Sequence, residues 1–211
     1  MNDPKTKNAA GVWRRRLGIL VAILVLGGGF ALTAMLKSNP ELPLDYTIDA
    51  GAPYEYDALK ELHVVKGLSP LQDETQRLLS RTEGSLGFAR MALDNAAFQA
   101  QKAKELADSD PLKSASQSAT ASASLRNSVK YLDEASAQLA DAEVKFARLK
   151  ENLATIDRVA SPQALEKINS EPTVANARVD SKTFTLMITE LKSQIAQSRE
   201  AAEAGLKTGL K

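Results

Sequence analysis

The sequence predicts an all-α protein: one N-terminal transmembrane helix followed by an elongated antiparallel three-helix bundle or coiled coil. Three observations predict it. The stretch Leu17–Leu36 (LGILVAILVLGGGFALTAML) is twenty residues without a charge, the length an α-helix needs to cross a hydrocarbon core of ~30 Å. Three later segments carry apolar or small residues at heptad spacing. After residue 57 no strand-like alternation or Asn-Gly hairpin signal interrupts them.

Residues 1–16 form a short basic head. Trp13 and Arg14-Arg15-Arg16 precede the apolar run, which is the positive-inside signature. Residues 1–37 carry Lys5, Lys7, Arg14, Arg15, Arg16 and Lys37 against Asp3, a net of +5. Residues 38–211 hold 21 basic and 25 acidic side chains, a net of −4. This asymmetry places the N-terminus in the cytoplasm and residues 38–211 outside it, with a single pass at 17–36. The membrane anchor is bounded by Trp13, Arg14, Arg15, Arg16, Leu17 and Leu36, and the lipid bilayer is its first partner. A second reading is a signal peptide cut after Ala31, where Gly29 and Ala31 are small at the needed positions. The anchor is preferred because the uncharged run continues to Leu36. The short head leads us to expect no cytoplasmic output domain.

Residues 37–69 read as an extended acidic linker, with Pro40, Pro43, Gly51 and Pro53 as breakers and one short helix at 57–66. Ser69-Pro70, with Gln72 three residues after the serine, reads as a helix start. The bundle is expected over 70–211, with helices at about 70–108, 111–160 and 172–211. In the first, Leu79, Leu86, Leu93, Ala100 and Ala107 recur every seven residues, with Thr82, Ala89, Ala96 and Ala103 three later in each heptad. Gly84 and Gly87 should weaken or bend it locally. Asp110-Pro111 is a stop and restart. The second helix carries Leu125, Leu132, Leu139, Phe146, Leu153 and Ala160, joined by Ala135, Ala142, Leu149 and Ile156. Its early part, Ser114–Ser124, is low in complexity but lacks Gly and Pro, so a continuous helix is preferred to a flexible linker. Ser161-Pro162 and Glu171-Pro172 bracket a connector with a short helix at 163–168. The third helix alternates three- and four-residue steps from Val174 through Ala177, Ser181, Phe184, Ile188, Leu191, Ile195, Ser198 and Ala202 to Gly205.

Seam residues are large at 71–93, 125–160 and 184–195, and small at 96–107, 112–124 and 198–209. An up-down-up arrangement gathers the small segments at one end, which predicts a tapered rod with a weaker distal tip. Ala100, Ala103, Ala107, Leu112, Ala115 and Ala119 are the candidate partner-binding residues of that tip.

The chemistry implied is sparse. There is no cysteine, and His63 is the only histidine, which leaves no thiolate site, His-based metal cage or His-containing triad. Asp45, Asp49, Glu55 and Asp57 lack the spacing of a dedicated calcium loop. Asp133, Glu134, Asp141 and Glu143 beside Lys130, Lys145 and Arg148 read as an exposed salt-bridged face. No phosphate-binding or nucleophile motif occurs. No catalytic residue, metal or cofactor is expected, and the acidic remainder without a basic cluster argues against a nucleic-acid partner.

Residues 14–43, RRRLGILVAILVLGGGFALTAMLKSNPELP, resemble the N-terminal anchor of periplasmic adaptor (membrane-fusion) proteins of bacterial efflux and secretion systems. The resemblance implies an inner-membrane anchor with a periplasmic α-helical hairpin, to which 70–160 is similar in general form. The β-rich lipoyl and barrel segments of those adaptors have no counterpart here, and no functional residues carry over. The expected function is a non-enzymatic scaffold or accessory subunit of an envelope complex, binding membrane or periplasmic protein partners along the rod or at its tip. The alternatives are a self-assembling coiled-coil homo-oligomer and an extracytoplasmic ligand-sensing bundle working through a partner.

Overall fold

The computed structural model describes residues 53–208. The basic head, the apolar segment 17–36, the first part of the linker and residues 209–211 lie outside the described residues. Six helices follow one another: α1 Tyr56–Glu61, α2 His63–Lys66, α3 Leu68–Leu106, α4 Pro111–Val159, α5 Pro162–Ser170 and α6 Pro172–Thr208. Among the described residues there is no strand, only one parallel bridge between Tyr54 and Ala160. None of these helices is long and apolar enough to cross a membrane.

The three long helices hold 39, 49 and 37 residues, or ~58, ~74 and ~56 Å at 1.5 Å per residue. Their register can be read from side-chain partners. Lys145–Glu74 at 2.7 Å, Ser85–Gln138 at 3.1 Å, Ser128–Ala89 at 3.0 Å and Ser114–Ala103 at 2.7 Å run in opposite senses along α3 and α4. The pair is therefore antiparallel. Arg178–Asp157, Phe146–Phe184, Lys192–Glu143 and Arg199–Asp133 make α4 and α6 antiparallel as well. Helix α6 then lies parallel to α3, with Gln72 donating to Asp180 at 2.8 Å. This is the expected up-down-up bundle.

Local chemistry sets the breaks. Asp110 caps α4, its carboxylate accepting from the Lys113 amide at 3.1 Å, with Pro111 at the first helical position. Ser161 caps α5 in the same way, accepting from the Ala164 amide at 3.2 Å ahead of Pro162. Residues 114–124 are helical throughout, as their lack of Gly and Pro predicts.

Three expectations are corrected. Helix α3 begins at Leu68 with Gly67 in the capping position and no side-chain cap, so Ser69 is not the cap. The chain enters from α2 already in helical geometry, and Pro70 falls in the first turn, where its missing N–H costs no intrahelical bond. The segment 57–66 is two helices, broken at Leu62, which takes an extended ψ of 143°. The described part of the linker is not extended: Leu59, Val65 and Leu68 are buried against the bundle base. Tyr54 secures it, its amide donating to the Val159 carbonyl at 2.7 Å and its carbonyl accepting from the Ser161 amide at 2.9 Å. Val159 sits at the end of α4, where carbonyls lack intrahelical partners, so the linker satisfies groups that α4 leaves open.

The core follows the seams. Leu79, Thr82, Leu86, Ala89, Ala96 and Ala103 are buried on α3; Leu132, Ala135, Leu139, Ala142, Phe146, Leu149, Leu153 and Ile156 on α4. On α6, Val174, Ala177, Phe184, Ile188, Leu191, Ile195, Ser198 and Ala202 are buried. Phe146 and Phe184 meet edge to face, with ring centroids 6.0 Å apart. Thr75 and Thr82 are fully buried and satisfy their hydroxyls on the Leu71 and Leu78 carbonyls one turn back. Toward the α3–α4 turn the core shrinks to Ala96, Ala103, Ala121, Ser124, Ser128 and Ala202. Ala100 and Ala107, expected in the seam, are exposed. Gly205, near the end of the described α6, stands against the Leu125 side chain of α4. Ala107 lies in the α3–α4 turn.

Candidate functional site

The α3–α4 turn carries the candidate tip. Its local structure is built from short polar chemistry: the Asp110 cap, the Lys113–Asp110 ion pair at 2.9 Å, and the Ser114 hydroxyl donating to the Ala103 carbonyl at 2.7 Å. The hydrogen bond from the Lys113 side chain, and after it the one from the Lys113 amide, hold the Asp110 carboxyl below its ordinary value. Small residues let the two helices approach closely, and Asn95 donates to Ser124 across the same interface at 2.8 Å. From 104 to 120 no side chain is buried. Among the described residues α6 ends at Thr208, with Gly205 against Leu125 of α4, and the stretch 104–120 is a two-helix hairpin.

Of the six tip residues, Ala100, Ala107, Leu112, Ala115 and Ala119 are exposed, and Leu112 is 86 % exposed. Ala103 is buried between α3 and α4 and belongs to the hairpin's own packing. The structure thus brings five of the six to one accessible end. The anchor residues Trp13, Arg14, Arg15, Arg16, Leu17 and Leu36 lie outside the described residues.

At the opposite end Tyr56, Lys60, Lys167 and Glu171 form a cluster that ties α1 to the α5–α6 junction. The Tyr56 hydroxyl donates to the Glu171 carboxylate, and Lys60 lies 3.6 Å from the same oxygen. Lys60 and Lys167 each sit 5.8 Å from the Tyr56 ring centroid, within cation–π range. The hydrogen bond to Glu171 raises the Tyr56 phenol above its usual value, and the Glu171 charge raises Lys60. Glu171 is lowered, first by the Tyr56 hydrogen bond. The geometry of the cluster is that of a clamp.

The acidic side chains read as a salt-bridged face act between helices: Asp133 pairs with Arg199, Glu143 with Lys192, and Lys145 with Glu74. Exposed pairs of this kind stabilise by roughly 0–1 kcal/mol each, so their main effect is on register. Between α3 and α6 runs an open groove of about 190 Å³, with Leu86 and Leu191 at its floor and Glu83, Arg90 and Glu190 at its rim. Among the described residues no three His, Asp or Glu side chains gather to hold a metal.

Two features escape the heptad reading. One is the folded segment 53–67, whose buried Leu59 and Val65 are too few to set a period. The other is a row of exposed large side chains on α3: Phe88, Met91 and Phe98. These are spaced by three and seven residues on the face opposite the seam, a signal that a search for one seam per helix passes over. Comparison with protein families, with curated proteins and with solved structures returns no match.

Proposed function

We propose that this chain is a single-pass, inner-membrane-anchored scaffold or accessory subunit of a bacterial envelope complex, with a periplasmic helical bundle that binds a protein partner at the α3–α4 tip. The observation that carries the reading is the two-helix hairpin at 104–120, a stretch without a buried side chain at the end of an otherwise well-filled bundle. A hairpin of small residues with exposed Leu112 leaves backbone and apolar surface to be covered by another protein. The charge-free run 17–36 with its basic flank supports the anchor and its direction. The general likeness of the hairpin to that of periplasmic adaptors supports the same compartment. The role is non-enzymatic, with the helices serving as spacers between bilayer and partner.

Photo-cross-linking in intact cells tests the proposal. A photoreactive residue at Leu112 or Ala115 is expected to trap one discrete protein partner, and the same probe at Val144 is not. Equal yields from all three positions would overturn tip binding. Intact-mass measurement of the membrane-extracted chain separates the anchor from the signal peptide: a chain beginning after Ala31 would remove the anchor from the proposal.

A further inference from the structure

The ends of the exposed row on α3 lie evenly about its centre, although its inner members Phe88 and Asn95 do not. Steps of four and three residues place Gly84, Phe88, Met91, Asn95 and Phe98 on one stripe, on the side of the helix opposite its buried seam. Phe88, Met91 and Phe98 are 57 %, 68 % and 52 % exposed. Phe88 rests against Tyr131 of α4 with ring centroids 5.6 Å apart, which fixes it as part of a firm surface. Gly84 lies within the same helix, and a Cβ built there or at Gly87 meets nothing within 4 Å. Nothing among the described residues of the single chain therefore requires these glycines, although each weakens a helix interior.

We propose that this stripe is a two-fold, antiparallel interface between two copies of the chain, centred on Met91. Gly84 and Phe98 stand seven residues to either side of Met91, and Arg77 and Glu105 fourteen residues to either side. In an antiparallel pairing about Met91, each Phe98 falls opposite Gly84 of the second copy, where the missing side chain gives the ring room. Each Arg77 then faces Glu105 of the second copy, and both are exposed. Asn95 already donates to Ser124 within its own chain, so it enters the seam with a partner. A parallel pairing sets Phe98 against Phe98, leaves Gly84 opposite Gly84, and brings Arg77 to Arg77 and Glu105 to Glu105. Size and charge both select the antiparallel arrangement, whose self-complementary patch is the mark of an isologous dimer. The inference concerns a different face from the tip and does not rest on the compartment proposed above.

The chain has no cysteine, so single cysteines in the full chain, purified in mild detergent, test the interface directly. Under mild oxidation Met91→Cys is expected to cross-link to itself. A mixture of Gly84→Cys and Phe98→Cys chains, carrying different tags, should cross-link at least tenfold more than either alone. Val144→Cys and Leu186→Cys, exposed on other faces, serve as controls and should remain uncross-linked. By light scattering the wild-type protein mass should be twice that of Phe98→Asp or Gly84→Leu, each retaining its helical circular dichroism. A monomeric wild type, Met91→Cys cross-linking no better than the controls, or Gly84→Cys cross-linking to itself as well as to Phe98→Cys would overturn the proposal.

Discussion

Glycine has two opposite meanings in this chain, and the difference is measurable. At Gly67, between α2 and α3, an added Cβ would lie 2.9 Å from the His63 carbonyl oxygen and 3.2 Å from the Asn152 side chain. The first neighbour is backbone, so the turn itself must move. Gly67→Ala is expected to destabilise by about 1–3 kcal/mol, as overpacking generally does. At Gly84 of the single chain the space is open and the backbone helical, so Gly84→Ala, made in a monomeric Phe98→Asp background, is expected to stabilise by about 1 kcal/mol. Urea denaturation followed by circular dichroism should move the two midpoints in opposite directions. Titration of the base clamp is also directional. Glu171 has a folded pKa below its ordinary value, so its contribution is complete above the unfolded carboxylate pKa and is lost as pH falls through the folded one. Tyr56 is raised, so its contribution is complete below the unfolded phenol pKa and is lost as pH rises through the folded one. Glu171→Gln should flatten the acid-side decline in thermal midpoint relative to wild type; an unchanged acid limb would count against the clamp.

At the scale of the element, the helices were legible to the extent that burial has one period. Helix α6 shows this best: every expected seam position from Val174 to Ala202 is buried except Ser181, which is half-buried. On α3 the pattern holds at Leu79 and Leu86, but Ala100 and Ala107 are exposed. Alanine at a heptad position carries little information, because it is as compatible with a solvated helix face as with a narrow seam. The restart at Asp110-Pro111 was readable because a polar side chain acts on its own backbone. The start of α3 was not, because the incoming α2 continues into it and removes the need for a cap. Segment 53–67 was unreadable for a related reason: its prolines and acids resemble a linker, whereas its fold depends on pairing with Val159 and Ser161, far along the chain. The candidate tip was legible as a change in residue size, and the structure leaves its residues exposed except Ala103. Large side chains concentrate the stability elsewhere. Leu149 is fully buried and Leu112 is 86 % exposed. Leu149→Ala is expected to cost about 2–5 kcal/mol, whereas Leu112→Ala should change stability by less than ~0.5 kcal/mol. Equal costs in chemical denaturation would refute the division between core and tip.

Over the described bundle, stability and accessibility run along the same axis in opposite directions. At the base, Leu59, Leu68, Ile156, Ile168 and Val174 are fully buried and the segment 53–67 closes the end of the helices. At the other end two helices continue with hydroxyl-to-backbone bonds and small side chains in place of a core. Local opening is expected where few apolar contacts resist it, which is also where a partner gains most by covering the surface. Hydrogen exchange of the full chain, compared between purified protein in mild detergent and native membranes, tests this most directly. The account predicts fast exchange at 104–120 in the purified chain, slow exchange at 132–156 in both states, and marked protection of 104–120 in membranes. Exchange at 104–120 that is as slow as the core in the purified chain, or that does not slow in membranes, would contradict it.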